Sequence, residues 1–580
     1  MPKVYLPLVQ SGSTVRIAID PVTRIEGHLR VEARVAQGAV TDAWSAGTMF
    51  RGFERIMVGR DPREAWVIAQ RLCGVCTTVH AIASVRAVED ALDITIPDNA
   101  RLIRNLIEAA QFVHDHVIHF YHLHGLDWAD LVSGLSADPA ATSALAQSIS
   151  DWPNNSPAYF TAVRDRLGAF AGTGQLGPFD NAYWGHPAYQ LSPEANLLVA
   201  AHYLEALDWQ RDFVRIHALL GGKNPHPQTY LVGGMSLPVD PDTSAGINGE
   251  RIAQLREWSA TALDFVRRVY IPDLKLVASQ YPEWASIGRG VGNYLACGDY
   301  PDQTGTKWMP SGIVRQARID LPAAVFDPAQ VSEYVTRSWY AYPEGDASAL
   351  HPSQGETEPS YTGPQPPYDW LDVNAKYSWL KAPRYNDEPM EVGPLARMAV
   401  AWARNHTRVR QEVGSFLTEL SLPATALFST LGRVAARGIE TLLMAEQMEP
   451  WITQLESNMN SGDLAIHNGS RWDPATWPKD CVGYGDTEAP RGALGHWVHI
   501  VNGRIANYQM VVPSTWNGSP RDALGQRGPW EEALLNTPVA IQDQPLEMLR
   551  TIHSFDPCMS CAVHVVDTTG QERVRIYAER

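Results

Sequence analysis

The 580-residue chain contains no uninterrupted apolar run of about 18 residues, which is the length that a membrane-spanning helix requires. Its first residues lack the basic stretch followed by an apolar one that marks a secretory signal peptide. Basic residues are in deficit, with 47 Lys and Arg against 64 Asp and Glu, so the formal net charge is −17. This charge argues against nucleic acid as a partner and against adsorption to an anionic membrane.

Cysteine is also scarce, with six residues in the whole chain. So few cysteines over this length do not form the disulfide framework of a small secreted domain. Four of them form two Cys-x-x-Cys pairs, Cys73 with Cys76 and Cys558 with Cys561. Two isolated cysteines remain, and these cannot hold an ordinary iron–sulfur cluster. Redox chemistry at the paired cysteines would therefore need a second chain to carry electrons away.

The two pairs are the strongest chemical signal in the sequence. Four thiolates from two such pairs can enclose one soft or borderline metal ion. The separation of 482 residues between Cys76 and Cys558 is far too long for a local zinc ribbon, so the whole fold must assemble the site. Sites of this kind usually hold catalytic metals. The alternative is a structural zinc site of four cysteines, which is disfavoured because zinc sites are usually built from nearby pairs.

The residues around the pairs narrow the interpretation. The first pair lies in R-L-C-G-V-C-T-T-V-H at 71–80, and the second lies in D-P-C-M-S-C-A-V-H at 556–564. Further motifs are R-I-E-G-H at 24–28, G-G-K-N-P-H-P at 221–227, A-P-R-G at 489–492 and N-Y-Q at 507–509. Over most of its length the chain thus resembles the large, catalytic subunit of nickel–iron hydrogenases. The histidine-rich stretch 114–124 makes it most similar to the respiratory, membrane-bound uptake type.

The resemblance implies a centre of nickel and iron with four cysteine ligands. Cys73 and Cys558 would bind nickel alone. Cys76 and Cys561 would bridge nickel to an iron that also carries carbon monoxide and two cyanides. His80 would donate a hydrogen bond to a cysteine sulfur and so tune the metal. The alternative for His80 is a buried helix histidine that is satisfied by the backbone.

The resemblance also implies residues that handle protons and charge. Glu26 would lie beside Cys558, where a carboxylate whose pKa is raised by burial can accept the proton from heterolytic H2 cleavage. Without the motif, Glu26 would be interpreted as a solvated strand residue. Arg491 would lie over the open metal position, with Asp115 and Asp556 as acidic partners. It would stabilise developing negative charge or act as a base, although guanidinium rarely loses its proton. A structural Arg–Asp bridge is the plainer alternative.

Two further positions are expected to bind the cofactor. Pro490 directly precedes Arg491, and Ser514 matches the position that hydrogen-bonds a cyanide in the family. An ordinary turn hydroxyl is the alternative for Ser514.

Glu54 and His564 match a second metal site, usually occupied by magnesium. A carboxylate, waters and the backbone carbonyl of Met510 suit an octahedral Mg²⁺. Histidine is a less typical magnesium ligand, so a similar hard divalent ion is the alternative.

The residue patterns favour a single domain that is mainly α-helical with peripheral β-strands, an α+β fold, and the resemblance implies that this domain covers residues 1–564. The resemblance adds a central helix bundle around the metal site. Alternating polarity predicts strands up to about residue 60, and residues 290–380 are expected to be irregular. Ser192-Pro193 predicts a capped helix start, and Asp98 is expected to cap a helix that runs to about Leu126. Asn502-Gly503 predicts the turn of a β-hairpin.

The expected function is H2 oxidation, with reversible heterolytic cleavage at the nickel–iron centre. An iron–sulfur small subunit would take the electrons and pass them to a membrane cytochrome or a quinone-reducing subunit. A maturation protease would remove the extension 565–580. The precursor would be cytoplasmic, and the mature chain would be exported with the small subunit to the periplasmic side of the membrane. A hydrogen-sensing regulator of the same fold is an alternative, and a non-catalytic respiratory relative is disfavoured because it would lack the cysteine pairs.

Overall fold

The structure is a computed structural model that describes residues 14–174, 179, 182–363 and 370–560, together with the backbone of residues 3–4 and 561–562. Its α-helices are Phe53–Met57, Ala65–Ala69, Thr77–Ala91, Asp98–Ile118, Gly125–Trp128, Pro139–Ile149, Pro157–Gly172, Pro193–Phe213, Arg215–Gly221, Gly249–Phe265, Ile271–Gln280, Pro394–Ala403, Thr407–Glu419, Thr430–Asn460, Pro513–Asn517, Pro529–Ala533, Leu546–His553 and Met559–Ala562. Two π-helical segments, His119–His124 and Val266–Tyr270, continue helices.

The β-strands are Lys3–Val4, Val15–Asp20, Leu29–Ala36, Ala39–Gly47, Tyr230–Leu231, Gly234–Met235, Tyr294–Ala296, Asp299–Pro301, Lys307–Met309, Gly312–Val314, Val331–Tyr334, Ala382–Tyr385, Asp480–Ala489, Gly492–Val501 and Arg504–Val511. The first four form an antiparallel sheet in chain order, and the last three form another. The mainly helical α+β architecture that the sequence predicts is confirmed. Among the described residues, no helix is both long enough and apolar enough to cross a bilayer.

Two long helices, Asp98–Ile118 and Thr430–Asn460, pack along each other in the centre of the molecule. The first buries Leu102, Leu106 and Val113 at helical spacing, which gives it an apolar stripe toward the core. The second begins at Ser429, whose hydroxyl accepts the backbone N–H of Gly432 at 2.9 Å. These two packed helices form the centre of the helix bundle. Asp115 lies near the C-terminal end of the first of them.

The helix Thr77–Ala91 lies directly on the strand Asp480–Ala489. A Cβ atom on Gly483 would lie 2.1 Å from the carbonyl oxygen of Ala87, and one on Gly485 would lie 2.3 Å from that of Ala83. Glycine is required at both positions because any side chain would push the helix away. This contact fixes the helix that follows Cys76 against the strand that leads to Arg491.

The local predictions mostly agree with the structure. Ser192 caps its helix by accepting the N–H of Ala195 at 3.2 Å, and Asn502-Gly503 forms the hairpin turn with φ of 49° and 75°. The assignment of Asp98 as a cap is wrong by one residue, because Pro97 occupies the capping position and Asp98 is the first helical residue. The Asp98 carboxylate instead contacts Arg101 and Asn458.

Candidate metal centre

Three of the four paired cysteines meet in the interior. Their sulfur atoms all lie within 4.8 Å of one another, with Cys558 Sγ at 3.3 Å from Cys73 Sγ and 3.7 Å from Cys76 Sγ. All three side chains are at most 2% exposed. The side chain of Cys561 lies outside the described residues, although its backbone belongs to the helix that starts at Met559. The geometry suits a soft metal, because buried thiolates at this spacing repel one another unless a cation binds between them.

Local structure favours the thiolate form of the first pair. Cys73 Sγ accepts backbone N–H groups from Val75 and Cys76, each at 3.2 Å. Cys76 is the residue that caps the helix Thr77–Ala91, where the helix dipole stabilises negative charge. The backbone thus prepares both sulfurs for metal binding.

Glu26 is fixed beside Cys558 by a short parallel bridge between two distant segments. Its carbonyl oxygen accepts the Met559 N–H at 2.6 Å, and its Oε2 accepts the Ser560 N–H at 2.8 Å. The Cys558 thiol lies 3.5 Å from the same Oε2. The approach requires Gly27, which has a φ of +83° and whose Cβ would lie 2.5 Å from Ser560 N. Burial, and then the charge of Cys73, raise the pKa of Glu26, as a proton acceptor near neutral pH requires.

Arg491 bridges the two aspartates that the sequence motifs indicate. Its Nη1 lies 2.7 Å from Asp115 Oδ2, and its Nη2 lies 3.1 Å from Asp556 Oδ1. Burial alone would lower the pKa of Arg491, but the two carboxylates raise it well above its ordinary value. Among the described residues, its buried Nε has no hydrogen-bond partner. The side chain is therefore a fixed cation with one donor still available to a bound group.

The two aspartates differ in protonation tendency. Burial tends to raise the pKa of Asp115, but Arg491 and His114 outweigh it, so the pKa falls below its usual value. Burial dominates at Asp556 and raises its pKa despite Arg491 and Arg437. Asp115 is therefore the partner of Arg491 that ionises more readily, and Asp556 is the one that ionises less readily.

Arg491 reaches this position from a hairpin turn that the sequence analysis did not predict. Ala489 pairs with Gly492, so Pro490 and Arg491 form the two-residue turn between their strands. Arg397 fixes this turn by donating to the carbonyl oxygens of Ala489 and Pro490 at 2.9 and 3.0 Å. Pro490 therefore lies beside Arg491 as expected, and its contact with a cofactor stays a prediction.

Arg397 is itself held by buried carboxylates. Its Nε lies 2.5 Å from Glu440 Oε1, and its Nη1 lies 2.7 Å from Glu488 Oε2. Burial would raise the pKa of Glu440, but Arg397 outweighs it and lowers the pKa to about 2. Arg397, Glu440 and Glu488 carry no local sequence motif. Their support of the turn could therefore be recognised only from the tertiary structure.

Ser514 and His80 have different partners. The Ser514 hydroxyl oxygen accepts the Cys558 N–H at 2.9 Å, and its own hydrogen is not used in this bond. His80 Nδ1 lies 3.3 Å from His496 Nε2 in the interior, and His496 Nδ1 lies 2.7 Å from the Tyr508 hydroxyl. Ser514 thus touches the cysteine loop directly, and the expected bond from His80 to a cysteine sulfur stays a prediction.

Glu54 lies in a separate buried polar cluster. Its Oε1 accepts the Met510 N–H at 3.0 Å, and its Oε2 accepts the Thr357 hydroxyl. Lys381 Nζ lies 3.8 Å from Glu54 and 3.3 Å from Glu333. Burial raises the pKa of Glu333 to about 7. The structure therefore brings together Glu54 and Met510, while His564 lies outside the described residues.

Sequence reasoning missed several residues that support the centre. Gln111 donates to Asp115 Oδ1 at 2.5 Å and to the Val75 carbonyl at 3.1 Å. His226 Nε2 lies 2.9 Å from the Cys73 carbonyl, and Arg51 donates to the Leu72 carbonyl. His226 belongs to a motif noted above, so the motif located it without giving it a role.

A cavity of about 280 Å³ lies beside the centre. Its walls include Glu26, Val75, Gln111, Asp115 and Arg491. A small molecule in this cavity would contact the carboxylate and the guanidinium together.

The chain is similar to known proteins over nearly its whole length. The family profile described as nickel-dependent hydrogenase matches residues 51–564. The uptake hydrogenase large subunit of Rhizobium leguminosarum bv. viciae is 50% identical over 97% of this chain and 98% of its own. The hydrogenase-1 large chain of Escherichia coli K12 is 47% identical over 97% of both chains. A solved [NiFeSe] hydrogenase variant from Desulfovibrio vulgaris Hildenborough is 34% identical, with a TM-score of 0.77 over 96% of this chain and all of that one.

Proposed function

The chain belongs to the nickel-dependent hydrogenase family, and from that premise we propose how its own residues support H2 oxidation at a nickel–iron centre. The observation that carries the proposal is the meeting of the buried sulfurs of Cys73, Cys76 and Cys558 with the Glu26 carboxylate. The overall reaction converts H2 into two protons and two electrons. The similarity of the chain to uptake hydrogenase large subunits favours this function over the regulatory and zinc alternatives.

Four cysteines hold the centre in this proposal. Cys73 and Cys558 would hold nickel, Cys76 and Cys561 would hold both nickel and an iron, and that iron would carry carbon monoxide and two cyanides. Arg491 Nε has no partner among the described residues, and the Ser514 hydroxyl accepts one hydrogen bond and can still donate one, so the residues fit such diatomic ligands. When bound, the nickel–iron centre supplies the redox chemistry that polarises H2 and takes up its electrons.

Glu26 accepts the proton that H2 cleavage releases. Its Oε2 lies 3.5 Å from the Cys558 sulfur, and the backbone of Ser560 holds that oxygen in place. Burial raises its pKa above the ordinary value of a glutamate, which makes the carboxylate a better proton acceptor. General acid–base catalysis of this kind contributes roughly 10²- to 10⁴-fold to rate.

Arg491 stabilises negative charge that develops as H2 is polarised. Asp115 and Asp556 hold the guanidinium rigidly, so no reorganisation is required during the reaction. The same carboxylates disfavour deprotonation of Arg491, which supports an electrostatic role over a role as base.

A second, hard divalent ion, usually Mg²⁺, binds near Glu54. Its ligands are the Glu54 carboxylate, the Met510 carbonyl, His564 and waters. The buried carboxyl groups of Glu54 and Glu333, which lie on either side of Lys381, support the proposal, because such an ion needs oxygen ligands of negative charge.

The catalytic subunit works with an iron–sulfur small subunit, as hydrogenase large subunits do. The small subunit passes electrons to a membrane cytochrome or a quinone-reducing subunit. The mature protein comprises residues 1–564 as one domain on the periplasmic side of the membrane. A maturation protease removes residues 565–580 from the cytoplasmic precursor before export.

The test is metal analysis and turnover of the chain purified with its native small subunit. We expect about one nickel per chain, iron beyond what the partner's clusters require, and rapid dye reduction with H2. Slow turnover with a full nickel content would instead support a hydrogen sensor. Zinc in place of nickel would overturn the proposal.

A further inference from the structure

A buried histidine outside the catalytic set makes two hydrogen bonds at once. His553 ends the helix Leu546–His553 and is 1% exposed. Its Nδ1 lies 2.6 Å from Asp127 Oδ2, and its Nε2 lies 2.9 Å from the Thr23 carbonyl oxygen. These distances place both ring nitrogens in hydrogen bonds with oxygen atoms.

The two partners determine the protonation of the ring. A backbone carbonyl can only accept a hydrogen bond, so Nε2 must carry a hydrogen. Asp127 also accepts a hydrogen bond from Arg24 through its other oxygen, which favours the ionised carboxylate. An ionised carboxylate can only accept as well, so Nδ1 must carry a hydrogen too. A histidine with hydrogens on both nitrogens is an imidazolium cation.

The same contacts connect the two segments that form the catalytic pair. Thr23 lies three residues before Glu26, and His553 lies five residues before Cys558. Arg24 strengthens the connection by donating to the Leu123 carbonyl at 2.7 Å and to Asp127. The segments thus meet twice, once at His553 and Thr23 and again at Glu26 and Cys558.

We propose that His553 is a positioning residue that donates hydrogen bonds from both ring nitrogens and, through Thr23 and the Asp127–Arg24 pair, holds the Glu26 carboxylate at its distance from the Cys558 sulfur. The inference rests on the proposed proton-accepting role of Glu26. A neutral ring could satisfy only one of its two acceptors as a donor, and the other contact would become repulsive. Loss of that contact would loosen the Glu26 segment without removing any metal ligand.

The first test examines the unaltered protein. Neutron diffraction from crystals of the perdeuterated holoenzyme, with its small subunit, would locate the hydrogens on His553. Deuterium on both Nδ1 and Nε2 is the expected result. Deuterium on only one nitrogen would overturn the proposal, whether or not any variant folds.

The second test uses His553→Gln with His202→Gln as the matched control. His202 is also buried, and its Nδ1 lies 2.7 Å from Asp273 Oδ2, so among the described residues its hydrogen-bond partner lies outside the Glu26 segment. We expect His553→Gln to keep its nickel and its KM for H2, to lose about 10- to 100-fold in kcat, and to show a larger solvent deuterium isotope effect. His202→Gln should keep the wild-type kcat and isotope effect.

The failures of the two proposals are distinguishable. Full activity in Glu26→Gln would reject the proton role of Glu26 itself. Loss of activity in Glu26→Gln, together with wild-type kcat and isotope effect in a nickel-loaded His553→Gln protein, would reject the positioning role alone.

Discussion

The carboxylate oxygen of Glu26 lies 3.5 Å from the sulfur of Cys558, although 532 residues separate the two in the chain. Main-chain hydrogen bonds on both sides of this contact fix it, because the Glu26 N–H donates to the Pro557 carbonyl at 3.4 Å and the Met559 N–H donates to the Glu26 carbonyl at 2.6 Å. Because the distance depends on main-chain geometry, exchange of the Glu26 side chain for one of similar size should leave the loop intact. Chemistry at this position can therefore be tested separately from folding.

Glu26→Gln removes the proton acceptor and keeps an oxygen that can accept the Ser560 N–H. We expect a normal nickel content and a fall of about 10²- to 10⁴-fold in H2-dependent dye reduction, because the general base is lost. Exchange of D2 with water should fall with it. Glu26→Asp is the control: it keeps the carboxylate one methylene farther back, so it should retain part of the activity. A fully active Glu26→Gln protein would remove Glu26 from the mechanism.

Arg491→Lys tests whether a forked cation is required. Lysine has one ammonium group and cannot reproduce the planar bridge between Asp115 and Asp556. We expect about 10²- to 10³-fold lower kcat in H2 oxidation with the metal retained, since one preorganised donor is lost. The control is Arg104→Lys, which alters a buried bidentate pair with Glu89 away from the centre. That variant should lose stability but keep its kcat, and equal kcat losses in both would indicate a general packing effect.

Ser514→Ala removes a hydroxyl that contacts the Cys558 backbone. We expect severalfold lower activity and shifted infrared bands of the proposed carbon monoxide and cyanide ligands, because the proposed donor toward these ligands is lost. Ser514→Thr keeps the hydroxyl and should keep the wild-type bands. Unchanged bands in the alanine variant would restrict Ser514 to its bond with the Cys558 N–H.

Features determined by a few neighbouring residues were predictable from sequence. The Ser192 cap and the Asn502-Gly503 turn are examples, because their hydrogen bonds and backbone angles are local. The contact of His553 with Thr23 was not predictable, since it joins segments 530 residues apart through tertiary packing. The sequence motifs are an intermediate case. Family resemblance identified Glu26 and the cysteines from the sequence, but only the fold shows the distance between Glu26 and Cys558.

The same comparison applies to the turn at Arg491. The motif A-P-R-G indicated Arg491 from the sequence. The hairpin that carries Arg491 depends on Gly483 and Gly485, which leave room for the helix Thr77–Ala91. It also depends on Arg397, which donates hydrogen bonds to the turn. Apart from the two glycines, these supporting residues are far from one another in the sequence. Side chains that support an active site without belonging to it can therefore be identified only from the three-dimensional structure, because tertiary packing determines their partners.

Glu531 provides a test of buried ionisation far from the metal ligands. Burial raises its pKa from 4.5 to about 7, against the opposing charge of Arg521. Between these values the unfolded chain releases the proton while the folded chain keeps it, so stability falls as pH rises from about 4.5 to 7. The loss is complete above the folded-state pKa and amounts to about 3 kcal/mol at most.

Glu531→Gln should remove this pH dependence. An amide oxygen can still accept the Ser45 N–H and the Tyr377 hydroxyl, which lie 3.1 and 2.9 Å from Glu531 Oε1. Thermal unfolding of the heterodimer from pH 5 to 8 would then show a shallower decline for the variant than for the wild type. Glu532→Gln is the control, because that neighbouring carboxyl is partly exposed and should leave the wild-type profile unchanged. Parallel profiles for wild type and Glu531→Gln would mean that Glu531 is already ionised in the folded protein at pH 5.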